Sequence, residues 1–479
     1  LFIIAILAAS VTLAGDEKKG KSPPNVVIIF ADDLGYGDLG CFGHPTIATP
    51  NLDRMAREGL RLTQFYAAEC VCTPSRAALL TGRLPIRNGM CSDKRRVLFS
   101  DSTGGLPDEE ITIAESLKKK NYATACVGKW HLGHLPQFLP MRQGFDLYYG
   151  IPYSNDMKPT QLLRGALVIE DPVDQTTLTA RYTAEAVSFI RQHREEPFFL
   201  YLAHNFPHVP LFASDKFKGK SRRGLYGDVV EELDWSVGQV LDTLRELEID
   251  KRTLVFFTSD NGPWLIKNQD GGSAGLLRGG KGSTWEGGMR EPTIAWWPET
   301  IPAGRVSAEL GSTTDLLATV HALVDIPLPS DRTLDSYDLR PVLLGTGESP
   351  RKSLLYYRGR QLMAARLGPW KAHFMTQAGY GQPQPEKHDP PLLFNLDQDP
   401  SEKHDLAKQH SDVIADILKM ISEHDSALLA PPSQLELRGP AVRQLPRCSL
   451  RCITPQSQTA RIFEKKLAVP FWAARMRLL

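Results

Sequence analysis

NVVIIF, residues Asn25 to Phe30, is an apolar and largely β-branched run with no polar alternation. A strand that buries both faces reads this way, because neither side needs a polar residue for water. Runs of the same kind recur at Tyr122 to Val127, Phe198 to Ala203 and Thr253 to Thr258. Between them the apolar residues take helical spacing. Thr49 and Pro50 offer a cap and a first-turn residue for a helix over Asn51 to Glu58, ended by Gly59. Leu178, Tyr182, Phe189 and Ile190 mark one face of a second helix, and Tyr226, Val230, Leu233, Val237, Val240 and Leu244 mark a longer one. Strands alternating with helices predict an α/β fold, a large and mostly parallel sheet flanked by helices on both faces.

From about Arg351 the pattern changes. Ser353 to Arg358, Gln361 to Arg366 and Trp370 to Phe374 are short and strand-like; after a proline-rich loop come Leu392 to Asn395 and a helical stretch over Asp412 to His424. These predict a smaller α+β subdomain built on an antiparallel sheet. At the other end, Leu1 to Ala14 is apolar apart from Ser10 and Thr12 and gives way to Gly15, Asp16, Glu17, Lys18 and Lys19. A spanning helix needs roughly 20 apolar residues, so this shorter run reads as a cleaved export signal without stable membrane insertion. The expected organisation is a signal segment and leader over 1–22, a catalytic domain over 23–346, the α+β subdomain over 347–437 and a basic tail over 438–479. Export would take the chain to a periplasm, the extracellular space or a lysosome-like lumen.

The 479 residues, 42% apolar and 23% charged, are ordinary globular material with room for one large and one smaller unit. A formal net charge of +1 gives no global field to recruit nucleic acid or a membrane surface, so any anion chemistry must come from a local cluster. The seven cysteines, Cys41, Cys70, Cys72, Cys91, Cys126, Cys448 and Cys452, show no zinc-type pairing of C-x-x-C units. Export permits disulfides, but spacing does not say which cysteines pair, and nothing in the sequence speaks to oligomeric state.

In open α/β sheets, ligands bind beyond the carboxyl ends of the strands. Polar residues collect there four times: Asp32 and Asp33 after the first run, Lys129 and His131 after the second, His204 and His208 after the third, Asp260 and Asn261 after the fourth. One acid after a strand is more often a turn or a cap. Four coincident cases point to a composite site. Asp32, Asp33, Asp260 and Asn261 offer hard oxygen donors alone, which suits calcium or magnesium better than zinc; of the two, calcium is the expected ion. Clustered carboxylates repel one another, and a dication turns that repulsion into binding. The sharpest local feature is CTPSRAALLTG, Cys72 to Gly82. Thr73 suits a cap, Pro74 a first helical position and Gly82 a helix end. Cys72 is thereby expected just before a helix N-terminus, where amides and dipole favour an anion, with Arg76 one turn in to grip two of its oxygens.

C-x-P-S-R followed by AALLTG resembles the sulfatase family motif, in which the cysteine is oxidised during biosynthesis to formylglycine. ADDLGYGDLG after the first strand, GKWHLG at Gly128 to Gly133, TSDNG at Thr258 to Gly262 and GGKGSTWEGGMREP at Gly279 to Pro292 extend the resemblance over roughly Asn25 to Gly345. PYS at Pro152 to Ser154 and GKGSTWEGG point to the branch that holds arylsulfatase A and N-acetylgalactosamine-6-sulfatase. The resemblance implies an alkaline-phosphatase-like fold and a sulfuric ester hydrolase acting on aryl or carbohydrate sulfates through a formylglycine hydrate. It implies that Asp32, Asp33, Asp260, Asn261 and the modified Cys72 ligate the metal, with Asp260 also a base. Arg76, Lys129, His131, Ser154, His208 and Lys281 would surround the sulfate, with His204 competing for the place of His208. The implied partners are a sulfated small molecule or glycan and, during maturation, the formylglycine-generating enzyme. Two other readings remain open at this level: a phosphomonoester or phosphonate hydrolase of the same superfamily, and a non-catalytic binder of sulfated glycans if Cys72 stays unmodified. Residues Pro140 to Leu163 and Leu265 to Leu277 are the expected specificity loops.

Overall fold

The first apolar run folds as the strand β1 (Asn25–Ala31), every residue of which is buried. A computed structural model describes residues 23–439, apart from 383. The expected signal segment and nearly all of the basic tail, Cys448 and Cys452 included, lie outside the described residues. In chain order β1 is followed by β2 (Leu60–Leu62), β3 (Phe65–Tyr66), β4 (Ala123–Gly128), β5 (Leu147–Gly150), β6 (Leu162–Arg164), β7 (Leu167–Glu170) and β8 (Phe198–Ala203). Then come β9 (Thr253–Ser259), β10 (Thr293–Trp296), β11 (Arg305–Ser307) and β12 (Gly311–Ser312). The helices are α1 (Pro50–Glu58), α2 (Cys72–Thr81), α3 (Pro85–Asn88), α4 (Ile113–Lys118), α5 (Leu178–Gln192), α6 (Leu225–Glu246), α7 (Glu286–Met289), α8 (Asp315–Leu323) and α9 (Arg340–Leu344).

Ten strands form one sheet in the order β11-β2-β10-β9-β1-β8-β4-β5-β6-β7. β1 pairs in parallel with β8 and β9, and β4 pairs in parallel with β8 and β5, while β10, β6 and β7 run antiparallel to their neighbours. The absence of alternation in β1 has a direct packing cause. Val26, Ile28 and Phe30 enter one core, with Ala77, Leu79 and Leu80 of α2 and Ile113 and Leu117 of α4. Val27, Ile29 and Ala31 enter the opposite core, with Leu52 and Met55 of α1, Tyr182 and Phe189 of α5 and Val230 and Leu233 of α6. Each fully buried Val, Ile or Phe contributes roughly 1.5–3 kcal/mol, so a polar residue on either side would cost stability.

Two helix starts differ from the sequence expectation. Thr49 precedes α1, but its hydroxyl accepts from Gly40 N and donates to the Asp53 side chain rather than capping the helix's first amides, and Asp234 of α6 takes the amides of Asn51 and Leu52 instead. Thr73 is no cap either, because α2 begins at Cys72 itself. The Thr73 hydroxyl donates to His131 O at 3.1 Å and accepts from Leu98 N, tying the helix to the loop after β4. In both places a tertiary partner outbids the local bond.

Beyond α9, the strands β13 (Ser353–Arg358), β14 (Gln361–Leu367), β15 (Trp370–Thr376) and β16 (Glu386–Asn395) form the expected antiparallel sheet in sequential order. Helix α10 (Ser411–Ser426) covers it, burying Ile414 and Ile417 against Ala365, Ala372 and Leu393. This sheet meets the large one through buried ions. Lys371 Nζ of β15 lies 2.9 Å from Glu286 of α7 and 3.0 Å from Glu402.

Candidate active site

Loops leaving the carboxyl ends of the central parallel strands bring the expected residues into one buried cluster. Asp32 and Asp33 follow β1, Lys129 and His131 follow β4, Ser154 follows β5, His208 lies beyond β8, and Asp260 and Asn261 follow β9. Lys281 arrives on the glycine-rich loop before α7. All of these side chains are buried, as are Cys72 and Arg76 on the first turns of α2. Asp33 and His131 adopt positive φ, 64° and 61°, the strained backbone that tends to gather at working sites.

Three ion pairs organise the cluster. Lys129 Nζ lies 2.6 Å from Asp32 Oδ2 and 3.3 Å from Ser154 Oγ. Lys281 Nζ lies 2.7 Å from Asp33 Oδ2, and Arg76 Nη2 lies 2.8 Å from Asp260 Oδ2. Asn261 Nδ2 donates to Asp33 Oδ1 at 2.8 Å, which turns its own carbonyl oxygen elsewhere. His208 is fixed by Val209 O, 2.6 Å from its Nδ1, and its Nε2 faces Ser154 Oγ at 3.4 Å and Asp33 at 3.7 Å. His204 does not share this place: it lies within 3.3 Å of Ser236 on α6, away from the cluster.

The donor set fits a hard dication. Asp32 Oδ1 and Asn261 Oδ1 are buried without a hydrogen-bond partner. Cys72 Sγ comes within 4.8 Å of ligand atoms on Asp32 and Asp260 in one grouping and on Asp33 and His208 in another. A buried acceptor left unpaired costs on the order of 1–3 kcal/mol, a cost that coordination removes.

The same arrangement agrees with what the chain resembles as a whole. A family model described as Sulfatase matches residues 24–326, and one described as the C-terminal region of aryl-sulfatase matches residues 349–456. The chain belongs to the sulfatase family. It is 42% identical to N-acetylgalactosamine-6-sulfatase of Canis lupus familiaris, over 95% of this chain and 96% of that one. It is 44% identical to arylsulfatase A of Homo sapiens, over 86% of this chain and 90% of that one. Among solved structures, the PsFucS1 sulfatase from Pseudoalteromonas sp. superposes with a TM-score of 0.77 at 31% identity, covering 85% of this chain and 90% of that one.

Electrostatics in this sulfatase divide the carboxylates. Burial raises the pKa of Asp32, but Lys129, His208, Arg76 and Lys281 together outweigh it and hold the group well below the usual range. Burial and the neighbouring Asp32 push Asp260 up to about 7, and Asp33 is also raised, chiefly by burial. A bound dication would pull all three into the charged form. Burial opposes the charge on Lys281, yet Asp33 keeps it firmly protonated; burial and Lys129 keep His131 neutral. Each of the three acids pairs with a cation, so a dication held among them would add positive charge beside Cys72 and favour an anionic ester.

Sequence reasoning missed part of the cavity mouth. The space above Cys72, about 530 Å³, is lined by Ser154 and Met157 from one of the expected loops, but also by residues 94–97, Phe99, Trp264 and Tyr380. Tyr380 belongs to the second subdomain, between β15 and β16, and no local pattern brings it to a site more than 300 positions earlier in the chain.

Proposed function

We propose that this sulfatase cleaves sulfate monoesters with Cys72 matured to formylglycine and a divalent metal, calcium first and magnesium as the alternative, held by Asp32, Asp33, Asp260, Asn261 and residue 72. The observation that carries this reading is the meeting of residue 72, at the first turn of α2, with the oxygen donors of two strand ends inside a 4.8 Å grouping. The metal supplies Lewis acidity and lowers the cost of a negative oxygen at residue 72. The formylglycine hydrate supplies two hydroxyls, one to attack sulfur and one whose later deprotonation releases sulfate and restores the aldehyde.

The chain's own groups do the rest. Asp260 takes the proton of the attacking hydroxyl, a task for a carboxylate that a bound dication would keep ionised. Arg76, Lys129 and Lys281 bind the sulfate oxygens, each worth roughly 3 kcal/mol of barrier lowering. Lys129 also orients Ser154, and His131, anchored by its Nε2 to Leu98 O at 2.8 Å, positions the hydrate. His208, assisted by Lys281, protonates the leaving oxygen; burial and Lys281 disfavour its charge, and the entering anion restores it. Because Cys72 is buried, the formylglycine-generating enzyme must act before folding closes the site, which accords with an exported chain read from its apolar N-terminal segment. No helix among the described residues is long and apolar enough to cross a membrane. We assign residues 23–346 to the catalytic domain and 347–437 to the C-terminal subdomain.

Mass spectrometry of the peptide bearing position 72, with turnover of matched aryl sulfate and aryl phosphate, tests the proposal. Formylglycine and a preference for sulfate are expected, and Cys72→Ala should lose activity by roughly a thousandfold or more while keeping its fold. An intact thiol in active protein, or a large preference for phosphate, overturns it.

A further inference from the structure

The mouth of the site carries four cations outside the catalytic set, Lys94, Arg95, Arg96 and Arg438, against one acid, Asp156. Three of the four have acidic partners. Lys94 lies 3.0 Å from Glu436, Arg95 lies 2.6 Å from Asp101, and Arg438 lies 3.9 Å from the same carboxylate. Arg96 has no carboxylate within 4 Å among the described residues, although it is half-buried. Glu69, the acid nearest in influence, spends its oxygens on the amides of Val71 and Gly359.

Packing holds Arg96 in place. Its Nη1 donates to Gly379 O at 2.8 Å, and its guanidinium lies 4.8 Å from the ring centre of Tyr380. Tyr380 lies 5.1 Å from Trp264, and Trp264 lies 5.3 Å from His208 with Lys281 Nζ 4.5 Å over its ring. A row of mutually tilted rings thus joins the catalytic pocket to a fixed cation. Past Trp264 and Tyr380 a second groove of about 400 Å³ continues along Trp285 and Gln377, giving a longer substrate room to run. One carbonyl and one ring leave most N–H groups of this half-buried guanidinium free for an anion, and aromatic rings beside it suit a sugar ring.

We propose that Arg96, seated on Tyr380 and Trp264, is a second anion subsite on the alcohol side of the scissile ester, so that the enzyme prefers glycan sulfates whose leaving portion bears a further negative charge. The inference rests on the sulfatase reading of residue 72. Its test uses the matured full-length chain and two disaccharides with the same scissile sulfate, one also sulfated on the neighbouring ring.

For wild type, kcat/KM should favour the doubly charged disaccharide by roughly tenfold or more, with the advantage in KM and eroding as salt is added. Arg96→Gln should bring that ratio close to one, and Arg96→Lys, which keeps the charge but not the planar fork, should fall between. The Lys variant carries the test should the Gln variant fold poorly. A wild-type ratio near one, or a ratio that survives Arg96→Gln, overturns the subsite. Absence of turnover on both disaccharides and on an aryl sulfate, with formylglycine present, overturns the sulfatase reading itself and is recognisable because the subsite governs the ratio alone.

Discussion

Asn261 shows how a single side chain can report on the whole proposed ligand set. Its amide nitrogen donates to Asp33 Oδ1, and its amide oxygen is buried with no partner. Both facts follow from one orientation, and that orientation makes sense if the oxygen faces a cation. Asn261→Leu keeps the volume and removes both the ligand and the donor. Wild-type protein should therefore melt at higher temperature as calcium is added, since ligand at a hundred times its Kd stabilises by about 2.7 kcal/mol. In the variant that dependence should shift to much higher calcium or vanish. Thermal melts across a calcium titration read the difference, and a variant that tracks wild type would remove Asn261 from the coordination shell. The grouping of Asp32, Asp33, Asp260 and Asn261 was legible in the sequence because each stands just after a strand, where chain order alone fixes its place. Arg96, Trp264 and Tyr380 were not, since their meeting depends on how loops and the second subdomain fold back.

At the scale of elements, α2 carries the site, and its end is as constrained as its start. Gly82 closes the helix with φ 65°, its amide bonding Ala78 O at 2.9 Å. A Cβ there would stand 3.0 Å from Leu317 of α8. Gly82→Ala should cost about 1–2 kcal/mol for the left-handed backbone, with crowding against Leu317 added to it. Urea unfolding measures this, and an unchanged midpoint would show that the turn relaxes freely. The glycine was readable as a stop signal, whereas the caps of α1 and α2 were not. Thr49 and Thr73 have the right chemistry for capping, but Asp234 lies 182 positions beyond Leu52 and takes that helix's amides, and His131 O takes the Thr73 hydroxyl. Long apolar strands were legible for a related reason: burial on both faces leaves a mark in every residue. The two- to four-residue strands β2, β3, β5, β6, β7, β10, β11 and β12 leave too few residues for any period to show.

For the whole molecule, buried acids set where in pH the fold is most stable. At the junction of the two sheets, burial raises the pKa of Glu286, yet Lys371, Arg290 and Arg366 outweigh it and bring it down from 4.5 to about 2. A carboxyl depressed on folding stabilises above its unfolded value and loses that contribution as pH falls from about 4.5 toward 2. Other acids act in the opposite sense. Burial lifts Asp38 and Glu69 to about 7 and Asp234 to about 6, even against the hydrogen bonds each accepts. Such groups favour the folded state while protonated, and their contribution is lost as pH rises through those values. The gain from Glu286 is complete by about 4.5, and the loss from the three raised acids runs from about there up to 6 or 7, so these four groups together place a stability maximum near pH 4.5. Melting temperature measured against pH at fixed ionic strength and saturating calcium should trace that maximum. Asp38→Asn should flatten the alkaline limb, because the amide has no proton to lose. Glu286→Gln should lower stability above about pH 4.5, leaving Lys371 buried with one acid fewer, and should flatten the acid limb. A wild-type maximum at or above about pH 8 would contradict the assignment, since no depressed carboxyl gains stability there while three raised ones have already lost theirs.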